Sequence, residues 1–270
     1  MGGIALFKLK RLNYYSLIAF AVMLAGCTQE LRIDRSKTAS GQDSRVQYIV
    51  VHYTAANTQR SIDLLTAGEV SSHYLIDDAV EPKVYQLVDE SRRAWHAGNS
   101  AWQGRTWLNA STIGIELVNC GYVDGPEGRV WCPYSEAQIN QLVLLLKDIV
   151  KRHGLKTGAV IGHNDIALGR KQDPGPLFPW RRLADEGLIP WPSPEQVTQA
   201  LIGFSGSLPT PAWFQQALVE EGYAIDVTGH WDTPTQLALQ AFQMKYRPAR
   251  YDGQADLETA ALLKALHPAM

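Results

Sequence analysis

The sequence predicts an α/β protein in which a central mixed sheet is flanked by helices, followed by a small three-helix unit. Short apolar runs rich in β-branched residues alternate with helical patterns, and this alternation is typical of an α/β fold. The length of 270 residues is enough for more than one hydrophobic core. We therefore expect two folded domains, one over residues 45–192 and one over residues 205–268.

Five apolar runs are the candidate strands. The first, Val46 to Tyr53, is nearly continuous, as is typical of a strand buried on both faces. The shorter runs lie at residues 73–76, 84–88, 113–118 and 159–162. Their lengths and β-branched content fit the interior of one sheet.

The clearest helical pattern covers residues 136–153. Its apolar residues share one face, and they are Leu142, Leu145, Leu146 and Ile149. Ser135 followed by Gln138 three residues later predicts a capping box at the helix start. This helix is expected to cover one face of the sheet.

A proline-rich stretch, Pro190 to Pro194, predicts a hinge after the sheet domain. Three helical patterns follow it, at residues 211–221, 234–246 and 257–266. Thr233 before Pro234 predicts the start of one helix, and Asp256 predicts the start of another. Together they indicate a compact three-helix unit.

The first 26 residues are typical of a secretory signal. Basic residues precede an apolar run from Tyr14 to Leu24, and they are Lys8, Lys10 and Arg11. The run is shorter than the roughly 20 residues that span a bilayer. Residues 27–44 are polar without an apolar period, which predicts a tether to the first domain.

Leu24-Ala25-Gly26-Cys27 resembles the bacterial lipobox, which implies that Cys27 becomes the lipidated first residue of the mature protein. In such proteins the next residue influences sorting, and Thr28 is not the aspartate associated with inner-membrane retention. The expected location is therefore the periplasmic face of the outer membrane. The alternative is an ordinary cleaved signal with a chance cysteine.

Composition excludes several classes of protein. Hydrophobic residues make up 46% and charged residues 19%, which is typical of a globular chain. The net charge of −2 becomes more negative once the signal is removed, and this argues against a nucleic-acid partner. Cys120 and Cys132 flank a predicted loop at residues 121–128, and a disulfide or two free thiols remain open.

Three residues could form a metal site. His52 ends the first strand, His163 follows the run at residues 159–162, and Asp173 lies ten residues later. Two imidazoles and a carboxylate form a catalytic zinc set with one position open for water. A buried or surface histidine without a metal is the alternative, since further histidines are available: His73, His96, His153 and His230.

Several segments resemble the zinc N-acetylmuramoyl-L-alanine amidases related to phage lysozyme-amidases and cytoplasmic anhydro-muropeptide amidases. They are Val50-Val-His-Tyr-Thr, Ser72-His-Tyr-Leu-Ile, Ala94-Trp-His-Ala-Gly-Asn-Ser, Ile113-Gly-Ile-Glu-Leu and Gly162-His-Asn-Asp-Ile-Ala, followed by Lys171-Gln-Asp-Pro-Gly-Pro. The segments occur in the family's order between residue 45 and about residue 190. The resemblance thus covers the whole first domain.

This resemblance implies that His52, His163 and Asp173 bind Zn²⁺ and that Glu116 and Lys171 are catalytic. Glu116 would be the general base and acid, and Lys171 would stabilise the oxyanion. The alternatives are a sheet-edge carboxylate paired with an arginine and a solvated loop lysine. Asp165 competes with Asp173 as a ligand but is expected to cap or orient its loop.

The substrate groove is expected to include His73, Trp95, His96 and Asn119, although each could instead pack the sheet or satisfy backbone groups. Residues 208–267 resemble the three-helix peptidoglycan-binding domain. The predicted function is hydrolysis of the amide between N-acetylmuramic acid and L-alanine, with peptidoglycan or muropeptides as partners. The alternatives are a zinc endopeptidase or carboxypeptidase of the stem peptide and a wall-binding lipoprotein without turnover. The sequence gives no oligomeric state.

Overall fold

The structure is a computed structural model that describes residues 1–2, 30–126 and 128–269. Two compact units are distinguished, residues 1–43 and residues 44–270. In the first unit, residues 30–43 are exposed and contain neither helix nor strand. The predicted signal segment and the lipidation at Cys27 concern positions outside the described residues. Within the described part of the chain, none of the helices has the length and apolar character to cross a membrane.

The main sheet is mixed, as predicted. Its strands are β1 (Tyr48–Tyr53), β2 (Tyr74–Ile76), β3 (Val84–Gln86), β6 (Thr112–Leu117) and β9 (Val160–Gly162). Their order is β3-β2-β6-β1-β9. Strands β2, β6, β1 and β9 pair in parallel, whereas β3 is antiparallel to β2. Strands β1 and β6 therefore occupy the centre, where both faces can be buried.

Alternate residues of β1 enter two different cores. Ile49 and Val51 belong to a core on one face, and Val50 belongs to a core on the other. The first face is covered by the long helix α2 (Glu136–His153), whose buried residues include Leu142 and Leu146. Strand β1 is thus apolar at successive positions because each of its faces packs against protein.

The remaining helices surround this sheet. Their bounds are α1 (Thr58–Ala67), α3 (His163–Ile166), α4 (Trp180–Asp185), α5 (Pro194–Phe204), α6 (Pro211–Glu221), α7 (Thr233–Tyr246) and α8 (Leu257–Leu266). The three predicted C-terminal helices are present. Helix α5 was not predicted, and it packs against α8.

The predicted hinge at Pro190–Pro194 is wrong, because the C-terminal helices share a core with the sheet. Val50 and Ile161 of the sheet lie in the same apolar cluster as Phe214, Leu239 and Phe242. These side chains are almost fully buried. The proline-rich stretch therefore connects two parts of one core.

Two predicted helix starts differ in detail. The Ser135 side chain accepts a hydrogen bond from the Gln138 backbone N–H, but Gln138 does not complete a capping box. Its buried amide instead donates to backbone oxygens of Ile76, Asp77 and Val118. Helix α7 is capped by Asp232 rather than Thr233, and the predicted cap Asp256 of α8 is confirmed.

The segment predicted as a loop between the two cysteines is a β-hairpin. It comprises β7 (Tyr122–Gly125) and β8 (Gly128–Trp131), and Cys120 and Cys132 are disulfide-bonded at its base. A second short hairpin consists of β4 (Ala101–Trp102) and β5 (Arg105–Thr106). Neither hairpin was anticipated, because each strand is only two to four residues long.

Candidate active site

Three predicted ligands converge at the end of the central strands. His52 is at the end of β1, His163 opens α3 directly after β9, and Asp173 follows in the next loop. His52 Nδ1 lies 2.9 Å from His163 Nδ1 and 3.0 Å from Asp173 Oδ2, and His163 Nδ1 lies 2.9 Å from the same oxygen. All three side chains are buried.

A chain of hydrogen bonds determines where the His52 proton resides. The Thr112 hydroxyl donates to the Leu108 carbonyl at 2.7 Å, so its oxygen must accept from His96 Nε2 at 3.0 Å. With its proton on Nε2, neutral His96 has a free lone pair on Nδ1, which accepts from His52 Nε2 at 3.0 Å. The Nδ1 atom of neutral His52 is therefore left without a proton.

The same reasoning applies to His163. Its Nε2 atom lies 3.3 Å from the Ala97 carbonyl, which can only accept, so a neutral His163 with its proton on Nε2 leaves the Nδ1 lone pair directed at His52 and Asp173. Burial, and after it the neighbouring imidazole of His163, lower the pKa of His52 to about 4, so His52 is neutral at neutral pH. Two imidazole lone pairs and one carboxylate oxygen then face one another, and this donor set fits a divalent cation.

Glycine at position 114 permits the His96 ring to reach this network. A Cβ atom at Gly114 would lie 2.5 Å from the His96 ring, so any other residue would displace the imidazole. Thr112, Gly114 and Glu116 are alternate residues of β6 and share one strand face. This strand face thus carries the Thr112 hydroxyl, the space at Gly114 that the His96 ring occupies, and the Glu116 carboxylate.

Glu116 lies beside His52, because the two residues are register partners on parallel strands. Its Oε2 atom is buried and hydrogen-bonds to none of the described residues. Burial, together with the charge of Asp173, raises the pKa of Glu116 to about 8, while Lys171 acts in the opposite direction. The alternative of a sheet-edge carboxylate paired with an arginine is wrong, since β6 is a central strand.

Asp165 orients the helix that carries His163, in agreement with its predicted capping role. Its Oδ2 atom accepts from the Gly162 N–H at 2.9 Å, and its Oδ1 atom accepts from the Tyr223 hydroxyl at 2.9 Å. Lys245 Nζ lies 3.6 Å from Oδ2, and both charged groups are buried. Because Tyr223 and Lys245 belong to the C-terminal region, that region supports the helix at the site.

A cavity of about 490 Å³ opens above the three candidate ligands. Glu116 and Lys171 line it, as do the predicted groove residues Trp95 and His96. Trp95 is half exposed, and the Arg93 guanidinium lies 4.2 Å from its ring centroid.

Two predicted groove residues, His73 and Asn119, contact backbone groups instead of lining the cavity. His73 is fully buried, with Nδ1 accepting from the Gly114 N–H and Nε2 near the Arg92 carbonyl. Asn119 bonds to the backbone at the hairpin base, including Gly121 N and Pro133 O. Neither residue lines the cavity.

The structure also identifies residues that the sequence analysis missed. Thr112 is the first residue of the hydrogen-bond chain that leads to His52. Its spacing of two residues from Gly114 and four from Glu116 could have indicated that all three lie on the same strand face as the site. Tyr122 and Arg129 of the hairpin line the cavity. Their position was hidden because the segment was interpreted as a loop.

Comparison with known proteins agrees with this fold. The N-acetylmuramoyl-L-alanine amidase family model matches residues 42–176, and a peptidoglycan binding domain model matches residues 208–263. The chain belongs to the N-acetylmuramoyl-L-alanine amidase family, whose reaction hydrolyses the amide between N-acetylmuramic acid and L-alanine.

Particular members of the family are similar over nearly the whole chain. N-acetylmuramoyl-L-alanine amidase AmiD of Escherichia coli is 39% identical over 94% of this chain and 97% of that protein. The structure of E. coli AmiD with the substrate anhydro-N-acetylmuramic acid-L-Ala-D-γ-Glu-L-Lys has a TM-score of 0.80, covering 88% of this chain and 95% of that one. AmpDh3 of Pseudomonas aeruginosa with an anhydromuramic pentapeptide is 38% identical, with a TM-score of 0.82 and coverages of 89% and 99%.

Proposed function

We propose that this amidase depends on zinc and that His52, His163 and Asp173 are the zinc ligands. The observation that carries the proposal is the approach of His52 Nδ1, His163 Nδ1 and Asp173 Oδ2 to within 3.0 Å of one another. Lone pairs at these distances repel unless a cation lies between them. Two histidines and one carboxylate leave a fourth zinc position open, which is typical of hydrolytic zinc sites.

The remaining residues supply the proton transfers. A zinc ion at this site would lower the pKa of water to about 7 and polarise the scissile carbonyl. Glu116 takes a proton from the attacking water, whose oxygen bonds to the lactyl carbonyl carbon. The carboxyl of Glu116 then delivers that proton to the alanine nitrogen as the amide bond breaks. Its Oε2 atom hydrogen-bonds to none of the described residues, which supports its role in both steps.

Lys171 is proposed to stabilise the oxyanion that forms on the carbonyl oxygen. Its ammonium lies on the loop that carries Asp173 and lines the cavity. The lysine is exposed without substrate, and a bound glycopeptide would cover this loop and strengthen the electrostatic attraction. The competing interpretation is a loop lysine whose charge is solvated by water and has no catalytic role.

The substrate is proposed to be a muropeptide that carries a muramoyl or anhydro-muramoyl group and a stem peptide. The AmiD and AmpDh3 complexes contain such ligands, and both proteins align with most of this chain. The C-terminal region is proposed to contact peptidoglycan, as its match to a peptidoglycan binding domain suggests.

We also propose that Cys27 is lipidated and that the protein resides in the outer membrane facing the periplasm. The lipobox-like Leu24-Ala25-Gly26-Cys27 and the following Thr28 support this location. Labelling of cells with radioactive palmitate should mark the full-length protein but not Cys27→Ala. Equal labelling of both chains would contradict lipidation at Cys27.

The main test uses residues 28–270, which contain the entire compact unit 44–270. Mass spectrometry of muropeptide digests should detect intact stem peptides with a free N-terminal L-alanine. This product should disappear after chelation and return with added zinc. Asp173→Ala should abolish both metal binding and turnover.

Each other outcome has a definite meaning. Cleavage within the stem peptide would indicate an endopeptidase or carboxypeptidase. Muropeptide binding without turnover would indicate a wall-binding protein. Full activity of Asp173→Ala would contradict the ligand assignment.

A further inference from the structure

The β7–β8 hairpin places a guanidinium on the rim of the catalytic cavity. Arg129 lies over the Tyr122 ring, with Cζ 3.8 Å from the ring centroid. Its Nη1 atom donates to the Gln172 side-chain oxygen, and Gln172 stands between Lys171 and Asp173. Arg129, Tyr122 and Gln172 all line the cavity. The arginine therefore contacts directly the loop that carries the candidate ligand Asp173.

The hairpin is fixed relative to that loop. The Cys120–Cys132 disulfide closes its base, and Trp131 Nε1 donates to the Tyr251 hydroxyl at 2.8 Å. Gly175, two residues after Asp173, has φ +80°, and a Cβ there would lie 2.9 Å from the Trp131 ring. The hairpin thus packs directly against the end of the Asp173 loop, so Arg129 is held in place before any ligand binds.

The charge of Arg129 is available to a ligand. The guanidinium makes one hydrogen bond to a described residue, the neutral amide of Gln172. It forms no ion pair within residues 30–126 and 128–269. The side chain is exposed. A guanidinium has five N–H donors in a planar fork, so a face suited to a carboxylate remains unused.

We infer that Arg129 binds the α-carboxylate of the second residue of the stem peptide and makes the enzyme selective for stems with that carboxylate free. The inference rests on the proposed function and concerns its substrate. In a stem of the L-Ala-D-γ-Glu type, the glutamate is linked through its side-chain carboxyl, which leaves its α-carboxylate as an anion. That anion lies one residue beyond the scissile amide, within about 7 Å along an extended peptide.

The test compares two substrates that differ at one group. N-acetylmuramoyl-L-Ala-D-Glu carries the α-carboxylate, and N-acetylmuramoyl-L-Ala-D-isoglutamine carries a neutral amide of the same shape. Residues 28–270 should prefer the acid by about 10- to 100-fold in kcat/KM, mainly through KM, as expected for a charge-assisted hydrogen bond. Arg129→Gln should hydrolyse both substrates equally, at the rate that the wild type shows with the amide.

Two further variants make the result specific. Arg129→Lys should retain part of the preference, because the charge remains but the bidentate geometry is lost. Arg181→Gln is the matched control, since it removes an exposed charge on α4 that does not line the cavity, and it should behave as the wild type. Thermal unfolding of all three variants should match that of the wild type.

The competing outcomes separate the selectivity from the activity itself. An Arg129→Gln enzyme that keeps the wild-type preference would overturn the inference, as would an equal loss of activity on both substrates. A preference that appears only when a third, acidic stem residue is added would assign Arg129 to that residue instead and would also overturn it. Wild-type protein that hydrolyses neither substrate would instead contradict the proposed function.

Discussion

Replacing Thr112 by valine should weaken the proposed zinc binding without changing a proposed ligand. Valine has nearly the shape of threonine but lacks the hydroxyl that accepts from His96 Nε2. His96 must then either leave a buried N–H unpaired or move its proton to Nδ1. In the second case, that proton is directed at His52 Nε2, and the His52 proton is driven to the Nδ1 atom that faces His163 and Asp173.

The magnitude follows from the second state, because an N–H left unpaired both with and without zinc would not change the affinity. Zinc-free protein can shift the two protons, whereas zinc on His52 Nδ1 would force the His96 N–H to stay unpaired. Thr112 is fully buried, and an unsatisfied buried donor costs about 1–3 kcal/mol. A change of about 1.4 kcal/mol is tenfold in an equilibrium constant, so zinc affinity should fall by about 10- to 100-fold. This range agrees with the usual effect of removing a partner of a metal-binding histidine.

The assay is competition for zinc between the protein and a chromophoric chelator at pH 7. Thr112→Ser retains the hydroxyl and should bind zinc nearly as tightly as the wild type, although it loses a buried methyl group. The absorption spectrum of the cobalt-substituted protein should change in Thr112→Val and not in Thr112→Ser. Equal zinc affinity in all three proteins would refute the proton assignment on His52.

Three further predictions concern other parts of the molecule. Glu116→Gln should lower kcat by about 10²- to 10⁴-fold while bound zinc and melting temperature are unchanged, and near-wild-type turnover would exclude a role in proton transfer. Lys245→Met should lower the free energy of unfolding in urea by about 3–5 kcal/mol, because buried Asp165 loses its partner, and adding Asp165→Asn should recover part of the loss. Burial alone would raise the pKa of Glu90, but hydrogen bonds, first of all with Arg152, lower it to about 2. Because this pKa is depressed, ionised Glu90 stabilises the fold above about pH 4.5, and the stabilisation is lost as the pH falls towards 2. In Glu90→Gln, the loss in free energy of unfolding between about pH 4.5 and pH 2 should therefore be smaller than in the wild type by about 1–2 kcal/mol, a value already reduced for solvent screening. The same pH dependence in both proteins would contradict a stabilising ion pair at Glu90.

The strands and main helices were predictable because each has a long enough hydrophobic pattern. Val46 to Tyr53 indicated a strand buried on both faces, but it did not reveal that the C-terminal helices cover one of them. Helix α5 was missed because the prolines at its start were interpreted as a hinge, although Ser193 caps it and Pro194 occupies its first turn.

The candidate site was predictable only in part. His52, His163 and Asp173 are brought together as the family resemblance implied, because their motif positions are tied to strand ends and one loop. The roles of Thr112 and His96 depend on hydrogen-bond direction across three separate segments, which spacing does not encode. His73 and Asn119 hydrogen-bond to backbone groups, a role that the motif alone could not distinguish from substrate contact.

The contact between Asp165 and the C-terminal helices has a consequence for incomplete copies of the protein. A chain cut or terminated before Tyr223 would lose the side chains that hold Asp165 and would expose one face of the sheet. The same loss would loosen the helix that presents His163. A fragment without these helices should therefore be less stable and less active than the whole chain, so the C-terminal region contributes to the amidase fold as well as matching a peptidoglycan binding domain.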